Sequence, residues 1–491
     1  MTQAPAYDTV IKGALVVRPD ADRPEPLDIG IVGEKIHTVA PSIDGALAHE
    51  VVDADGWLAF PGLVDSHMHV GIYHPLREDA LSESRAAAVG GVTSSLNYIR
   101  TGRYYLNRGG SYRDFFPEVL AQSRDRFYVD YGYHVAPIAA SHIDEMEWLL
   151  TSHGVSSFKI FMFYGGYGLH GRSSSPRDFL MIGDDDNYDV AHFEFIMRGL
   201  ERLRVRFPAA ANHLSISLHC EMADILNAYT TMVEREGKLK GLRAYSASRP
   251  PHSEGLAICI ASYLAHETAC VNVNLLHLSS RKAIDAALRM SQAFPHVSFR
   301  REVTVGHLLL DVDAPAGTLA KVNPPIRPRE DVEALWQAVL DGHIDWVVSD
   351  HACCSAEQKR PADAPDDVWM AKSGFGGTEY LLSGVFSEGR KRGLSPGRMA
   401  ALLSRNPARR FGLDSKGDIA PGFDADLVLF DPARTFVVRA EDSPSNQGYT
   451  PFQGIELTGR VERTFLRGHL IYDGQNVIGP ARGSYLRRSV V

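Results

Sequence analysis

Eight short apolar runs, separated by longer amphipathic stretches, constrain the fold more than any other feature of this chain. They are Leu63–Val70, Val92–Ile99, Phe127–Ala136, Ser156–Met162, Leu214–His219, Val271–Leu278, Ser298–Val305 and Trp346–Asp350. Helical patterns such as Ala80–Val89, Phe193–Arg206 and Ser253–Glu267 lie between them. Alternation of this kind argues for parallel β/α units, and eight strands is the number that closes a (β/α)8 barrel. The 491 residues suffice for such a barrel, which takes roughly 250 residues, plus an added domain.

The two ends read differently. Thr9–Val17, Leu27–Val32 and Lys35–Val39 alternate in polarity and are punctuated by turn glycines, as are Ala425–Phe430 and Val461–Gly468. Neither end has enough strands for a stable sheet by itself, so together they are expected to form one β-sandwich from both termini. The division expected is residues 1–59 and 412–491 for the sandwich and 60–411 for the barrel. Gly171–Asp189, with three serines and Asp184-Asp185-Asp186, reads as a loop over the barrel mouth. The formal charge of −9 forms no long block and argues against a nucleic-acid binder. Five scattered cysteines are too few for a disulfide framework, and the adjacent Cys353 and Cys354 face opposite ways on an extended strand. The amino terminus lacks the basic and apolar regions of a secretory signal, and no apolar run approaches the ~20 residues that span a bilayer. A cytoplasmic location without a membrane partner is the expectation.

Within this frame Lys159 is the residue hardest to explain by packing. It sits in Ser156-Ser157-Phe158-Lys159-Ile160-Phe161-Met162-Phe163-Tyr164, apolar on both sides of the amine. A buried ammonium is costly, so this amine should lose its proton readily and react with CO2 to give an anionic carbamate. His67 and His69, two apart in Asp65-Ser66-His67-Met68-His69, point to one side of a strand. His219, His277 and Asp350 each end an apolar run, and barrel enzymes carry their chemistry at such carboxyl ends. Four imidazoles, a carboxylate and a carbamate suit two divalent cations with a hydroxide between them, zinc first and manganese or cobalt next. That combination points to hydrolysis. His134, His213, His252, His307 and His351 are read as ordinary core or surface histidines.

Phe60-Pro61-Gly62-Leu63-Val64-Asp65-Ser66-His67-Met68-His69 resembles the first-strand signature of the amidohydrolase superfamily. Phe158–Tyr164, Leu218-His219-Cys220-Glu221, Leu276-His277-Leu278-Ser279 and Val348-Ser349-Asp350-His351 resemble further motifs of its cyclic-amide branch. So do Ser248–Glu254, Asn406-Pro407-Ala408 and Lys416–Leu427, so the likeness spans nearly the whole chain. That branch holds dihydropyrimidinases, hydantoinases, allantoinases and dihydroorotases, and also neuronal scaffold proteins that have lost the metal ligands. The resemblance implies that His67, His69, the carbamate of Lys159 and Asp350 hold the buried metal, and that His219, His277 and the same carbamate hold the other. It implies that Asp350 also shuttles the proton from the hydroxide to the departing nitrogen. Tyr164, by its offset from Lys159, matches a tyrosine that stabilises the oxyanion. Asn323 and Ser373 match positions that bind the ring. A homotetramer is implied as well.

The chain departs from dihydroorotases where they place an arginine for a substrate carboxylate. Gly71 stands there instead, so a substrate carrying that anionic group is not expected. Gly71-Ile72-Tyr73-His74-Pro75, with Phe163 and Tyr167, reads as an apolar wall for a ring substituent. The reading is a binuclear hydrolase of a hydantoin- or dihydropyrimidine-like ring. Allantoin, another lactam or another cyclic imide is the alternative.

Overall fold

The computed structural model describes residues 6–164 and 176–490. Five strands come first: β1 (Tyr7–Val16), β2 (Glu25–Val32), β3 (Lys35–Ala40), β4 (Ala48–Asp53) and β5 (Leu58–Pro61). Eight more follow: β6 (Leu63–Met68), β7 (Val92–Ile99), β8 (Asp130–Val135), β9 (Ser157–Phe161), β10 (Ser215–His219), β11 (Asn272–Leu275), β12 (Ser298–Thr304) and β13 (Trp346–Val348). Those eight pair in sequence order, all in parallel. The sheet curls round until Met68, at the end of β6, bridges His351 just beyond β13, where the His69 amide donates to the His351 carbonyl at 2.7 Å. This is the (β/α)8 barrel expected from the sequence.

Every residue of β6 to β11 and of β13 is buried. Strands covered on both faces need apolar residues on both, which is why they read as near-continuous runs. Polar residues among them are satisfied internally. Asn274 donates to Ser217 Oγ at 3.1 Å and accepts from Arg410 Nε at 2.6 Å. The intervening helices begin with local signals. The Asp189 side chain accepts from the His192 amide to cap Val190–Arg206, and Glu78 and Asp79 occupy the first turn of Leu76–Val89.

The remaining strands are β14 (Leu427–Val437), β15 (Glu456–Leu466) and β16 (His469–Tyr472). They join the first five in a second sheet of order β16-β15-β14-β5-β1-β2-β3, with β4 parallel to β1. The β5–β14 pairing, Pro61 opposite Leu427, brings the two chain ends into one sheet. Its core contains Ile11, Ile29, Ile36, Leu427, Leu429 and Phe465. β5 passes into β6 through Gly62, where a Cβ would lie 2.2 Å from Thr93 Oγ1 and 2.6 Å from its Cγ2. No side chain fits there.

Element ends differ from the sequence reading in physically legible ways. Val271–Leu278 and Trp346–Asp350 stop as strands at Leu275 and Val348, because His277 and Asp350 take left-handed backbone with φ of 34° and 54°. In the Gly171–Asp189 stretch, the part outside the described residues apart, a short helix, Pro176–Leu180, is followed by irregular chain up to the cap of the next helix, so the loop reading holds for 181–189 and not for the helix. Among the described residues no helix is long and apolar enough to cross a membrane.

Candidate active site

His67 and His69 emerge from the end of β6 on the same side, with ring centroids 5.2 Å apart. Lys159 lies mid-strand in β9 beside Ser217 of β10, wholly buried, its Nζ 3.4 Å from His67 Nε2. The amine rests 3.9 Å from the Tyr98 ring centroid and 4.7 Å from that of Phe161. Burial drives its pKa down to about 7, against the partial opposition of Asp350 and Glu302. His219 ends β10, and its ring lies 4.3 Å from that of His277, which lies 5.3 Å from that of His67. Asp350 Oδ1 sits 3.1 Å from His67 Nε2 and 3.2 Å from His69 Nε2. One donor atom each from His67, His277 and Asp350 falls within 4.8 Å of the others. All six candidate ligands therefore meet at the carboxyl end of the barrel. The left-handed turns at His277 and Asp350 cost about 1–3 kcal/mol each, strain of a kind concentrated at functional sites.

The outward nitrogens of three imidazoles are held by groups that the sequence reading did not single out as partners. Glu302 faces His67 Nδ1 at 2.7 Å, and also accepts from the His277 amide at 3.1 Å and Trp346 Nε1 at 2.8 Å. The Tyr105 hydroxyl faces His69 Nδ1 at 2.9 Å. Glu221 faces His219 Nε2 at 2.7 Å and takes Arg249 Nε at 3.0 Å on its other oxygen. Metal-binding histidines almost always have the far nitrogen engaged in this way, which fixes the ring and leaves the near lone pair free. His277 Nδ1 is buried without a hydrogen-bond partner. Burial lowers the pKa of all four imidazoles, that of His219 to about 4, so they are neutral at pH 7, the state that ligates. Burial alone would raise Asp350; His67, His69 and Lys159 outweigh it and hold the carboxyl below its ordinary value. Neutral nitrogens, a carboxylate and a neutral-prone amine around one cavity fit divalent cations.

Tyr164, Asn323 and Ser373 line the same cavity as His69, Lys159, His219, His277 and Asp350. The Tyr164 hydroxyl accepts from Arg100 Nε at 3.0 Å. Tyr245 donates to Asn323 Oδ1, and Ser373 Oγ lies 3.4 Å from the same oxygen. Of the expected apolar wall, Ile72 and Phe163 line the cavity; Tyr73 stands behind, donating to the Ser373 carbonyl at 2.5 Å, and Tyr167 lies outside the described residues. No arginine is among the described lining residues. Cys353 and Cys354 are buried free thiols. His134 bonds Ser157 and Ser66, and His307 bonds Thr304 and Pro324, as ordinary core histidines.

The amidohydrolase family model matches residues 209–471. An allantoinase of Rubrobacter xylanophilus is 33% identical over 487 residues, covering 98% of both chains. Among solved structures, dihydropyrimidinase from Brevibacillus agri superposes with a TM-score of 0.83 at 25% identity, covering 98% of this chain and 99% of that one. L-Hydantoinase (dihydropyrimidinase) from Arthrobacter aurescens does so with 0.83 at 26% identity and the same coverage.

Proposed function

The chain belongs to the amidohydrolase family, and from that premise we propose that it hydrolyses the C–N bond of a cyclic amide or imide, a hydantoin or dihydropyrimidine ring, at a binuclear metal centre. The observation that carries this reading is the convergence of His69, Lys159, His219, His277 and Asp350 on one cavity, with His67 Nε2 directly behind them, 3.1 Å from Asp350 Oδ1 and 3.4 Å from Lys159 Nζ. His67, His69 and Asp350 are the residues for one divalent cation and His219 and His277 for the other, with Lys159, as its carbamate, serving both. Such cations, zinc by donor chemistry with manganese or cobalt as alternatives, supply Lewis acidity and make water ionise near neutral pH.

The rest belongs to the chain. With its pKa at about 7, the Lys159 amine is substantially neutral, and its nitrogen adds to the carbon of CO2 with loss of one proton. Asp350 takes the proton of the attacking water and returns it to the ring nitrogen as the C–N bond breaks. Tyr164 donates its hydroxyl hydrogen to the ring carbonyl oxygen as that atom becomes negative. Asn323 and Ser373 hold the rest of the ring, while Ile72 and Phe163 pack its substituent. The absence of arginine from the described lining matches a substrate without a carboxylate.

Allantoin, itself a hydantoin with a ureido substituent, is the second reading, favoured by the full-length allantoinase relative. A panel of hydantoin, 5-substituted hydantoins, dihydrouracil, allantoin and simple lactams on metal-loaded protein separates the two. Turnover of none of them by fully metallated protein would leave a non-catalytic scaffold. The family resemblance implies a homotetramer, and the mild net charge, which forms no long block, argues against a nucleic-acid partner; a cytoplasmic location without a membrane partner is proposed beside them, and light scattering and cell fractionation test these readings.

A further inference from the structure

Arg100 directly follows β7 and is buried, yet its hydrogen-bond partners among the described residues are a phenol and two carbonyls, with no carboxylate. Its guanidinium lies among three rings, 4.6 Å from the centroid of Phe179, 5.1 Å from Tyr164 and 5.7 Å from Tyr105. Nη1 donates to the carbonyls of Thr101 and Arg103 at 3.0 Å, Nε donates to the Tyr164 hydroxyl, and Nη2 has no partner among the described residues. A cation buried without an anion is expensive to keep. The expense is intelligible if negative charge arrives during the reaction.

A phenol has one hydrogen to give and lone pairs to accept with. Arg100 occupies a lone pair of Tyr164, and no acceptor for the Tyr164 hydrogen is found among the described residues. The same tyrosine lines the cavity together with His69, Lys159, His219, His277 and Asp350, whereas Arg100 stands behind it and is not among the described lining residues. Tyr105, the other phenol beneath the guanidinium, braces His69.

We infer that Arg100 is a positioning residue for ring opening, whose Nε–H turns the Tyr164 hydrogen toward the substrate carbonyl and whose charge strengthens that donation as the oxygen becomes negative. No proton leaves Arg100; the effect is polarisation along a chain of two hydrogen bonds. This inference rests on the reading of Tyr164 as the oxyanion donor, and the test separates the two.

Steady-state kinetics of metal-loaded wild type, Arg100→Met, Arg100→Lys, Tyr164→Phe and the Arg100→Met/Tyr164→Phe double variant supply that test. The substrate is the fastest among hydantoin, dihydrouracil and allantoin. Metal content and thermal midpoint are measured on each variant, and Arg100→Lys keeps a buried cation should Arg100→Met fold poorly. Arg100→Met is expected to lower kcat about 10- to 100-fold with KM moving far less, and Arg100→Lys to recover part of the loss. In the Tyr164→Phe background the further loss should vanish, because the hydroxyl through which Arg100 acts is gone. An equal kcat loss in both backgrounds would make Arg100 merely structural and overturn the inference. Unchanged kcat in Arg100→Met, with Tyr164→Phe impaired, would overturn it while sparing the reading of Tyr164. Unchanged kcat in Tyr164→Phe itself would remove the premise, and the inference with it.

Discussion

Replacing Glu221 with glutamine probes both the stability of the site and the way His219 is presented. Glu221 is fully buried, and Arg249, its partner, is 3% exposed. Burial alone would raise the carboxyl, but Arg249 and His219 hold it down to about 2, so it is ionised throughout the physiological range. Removing one partner of a buried ion pair costs about 3–5 kcal/mol, because the other charge stays buried and unpaired. Glutamine keeps the shape and one acceptor oxygen, which places Glu221→Gln near the lower end, at about 3 kcal/mol. The second effect concerns the imidazole. A carboxylate opposite Nε2 holds the hydrogen there and leaves the Nδ1 lone pair free for a cation; a glutamine –NH2 group opposite Nε2 favours the other tautomer. Loss of such a brace weakens metal binding by about 10- to 100-fold. Urea unfolding of metal-free protein reads the first quantity, and zinc competition against a chromophoric chelator reads the second. A stability loss below about 1 kcal/mol would mean that Arg249 is not held by this charge. Unchanged zinc affinity would mean that His219 is not a ligand braced by Glu221.

Two further outcomes follow from the same geometry. Lys159→Ala should lose metal and activity together, since the shared anionic ligand goes with the amine; metal analysis alongside turnover checks this, and retention of both would remove Lys159 from the centre. Metal-free protein should lose stability as pH falls through 6.5 toward 4. His307, lowered by burial to about 4, and His134, lowered well below 6.5, are not ligands; the unfolded chain binds protons across that window while the folded chain does not. Urea unfolding at pH 7.5 and pH 5 should show the drop, and equal stability at the two would refute neutral burial.

The barrel was legible because strands covered on both faces must be apolar throughout, which turned each into a continuous run. Their ends were less so. Leu276-His277-Leu278 continues the apolar pattern of β11, and nothing in that pattern marks the left-handed turn at His277 that breaks the strand. The six convergent residues were legible as charged or polar interruptions of apolar runs, most of them near the run ends and Lys159 in the middle of one. Lys159 and Glu302 are the same kind of signal, a charge within a strand, yet only the amine was singled out, since Glu302 follows Arg300 and Arg301 and looks solvated. Its partner His67 is 235 residues away, a distance that only the closed barrel collapses. Glu221 follows His219 by two residues, but its role depends on Arg249, 28 residues on, and cannot be read from spacing. Arg100 was invisible for the same reason, being defined by rings contributed from the turn after β9, its own loop and the helix Pro176–Leu180.

The central claim is that these six side chains form a two-metal hydrolytic centre. Metal analysis of fully active protein, purified without chelator and quantified per chain, tests it most directly. Close to two divalent ions per chain are expected, with activity lost on chelation and restored by zinc, manganese or cobalt. Full activity at one ion per chain, or undiminished activity after complete metal removal, would contradict it.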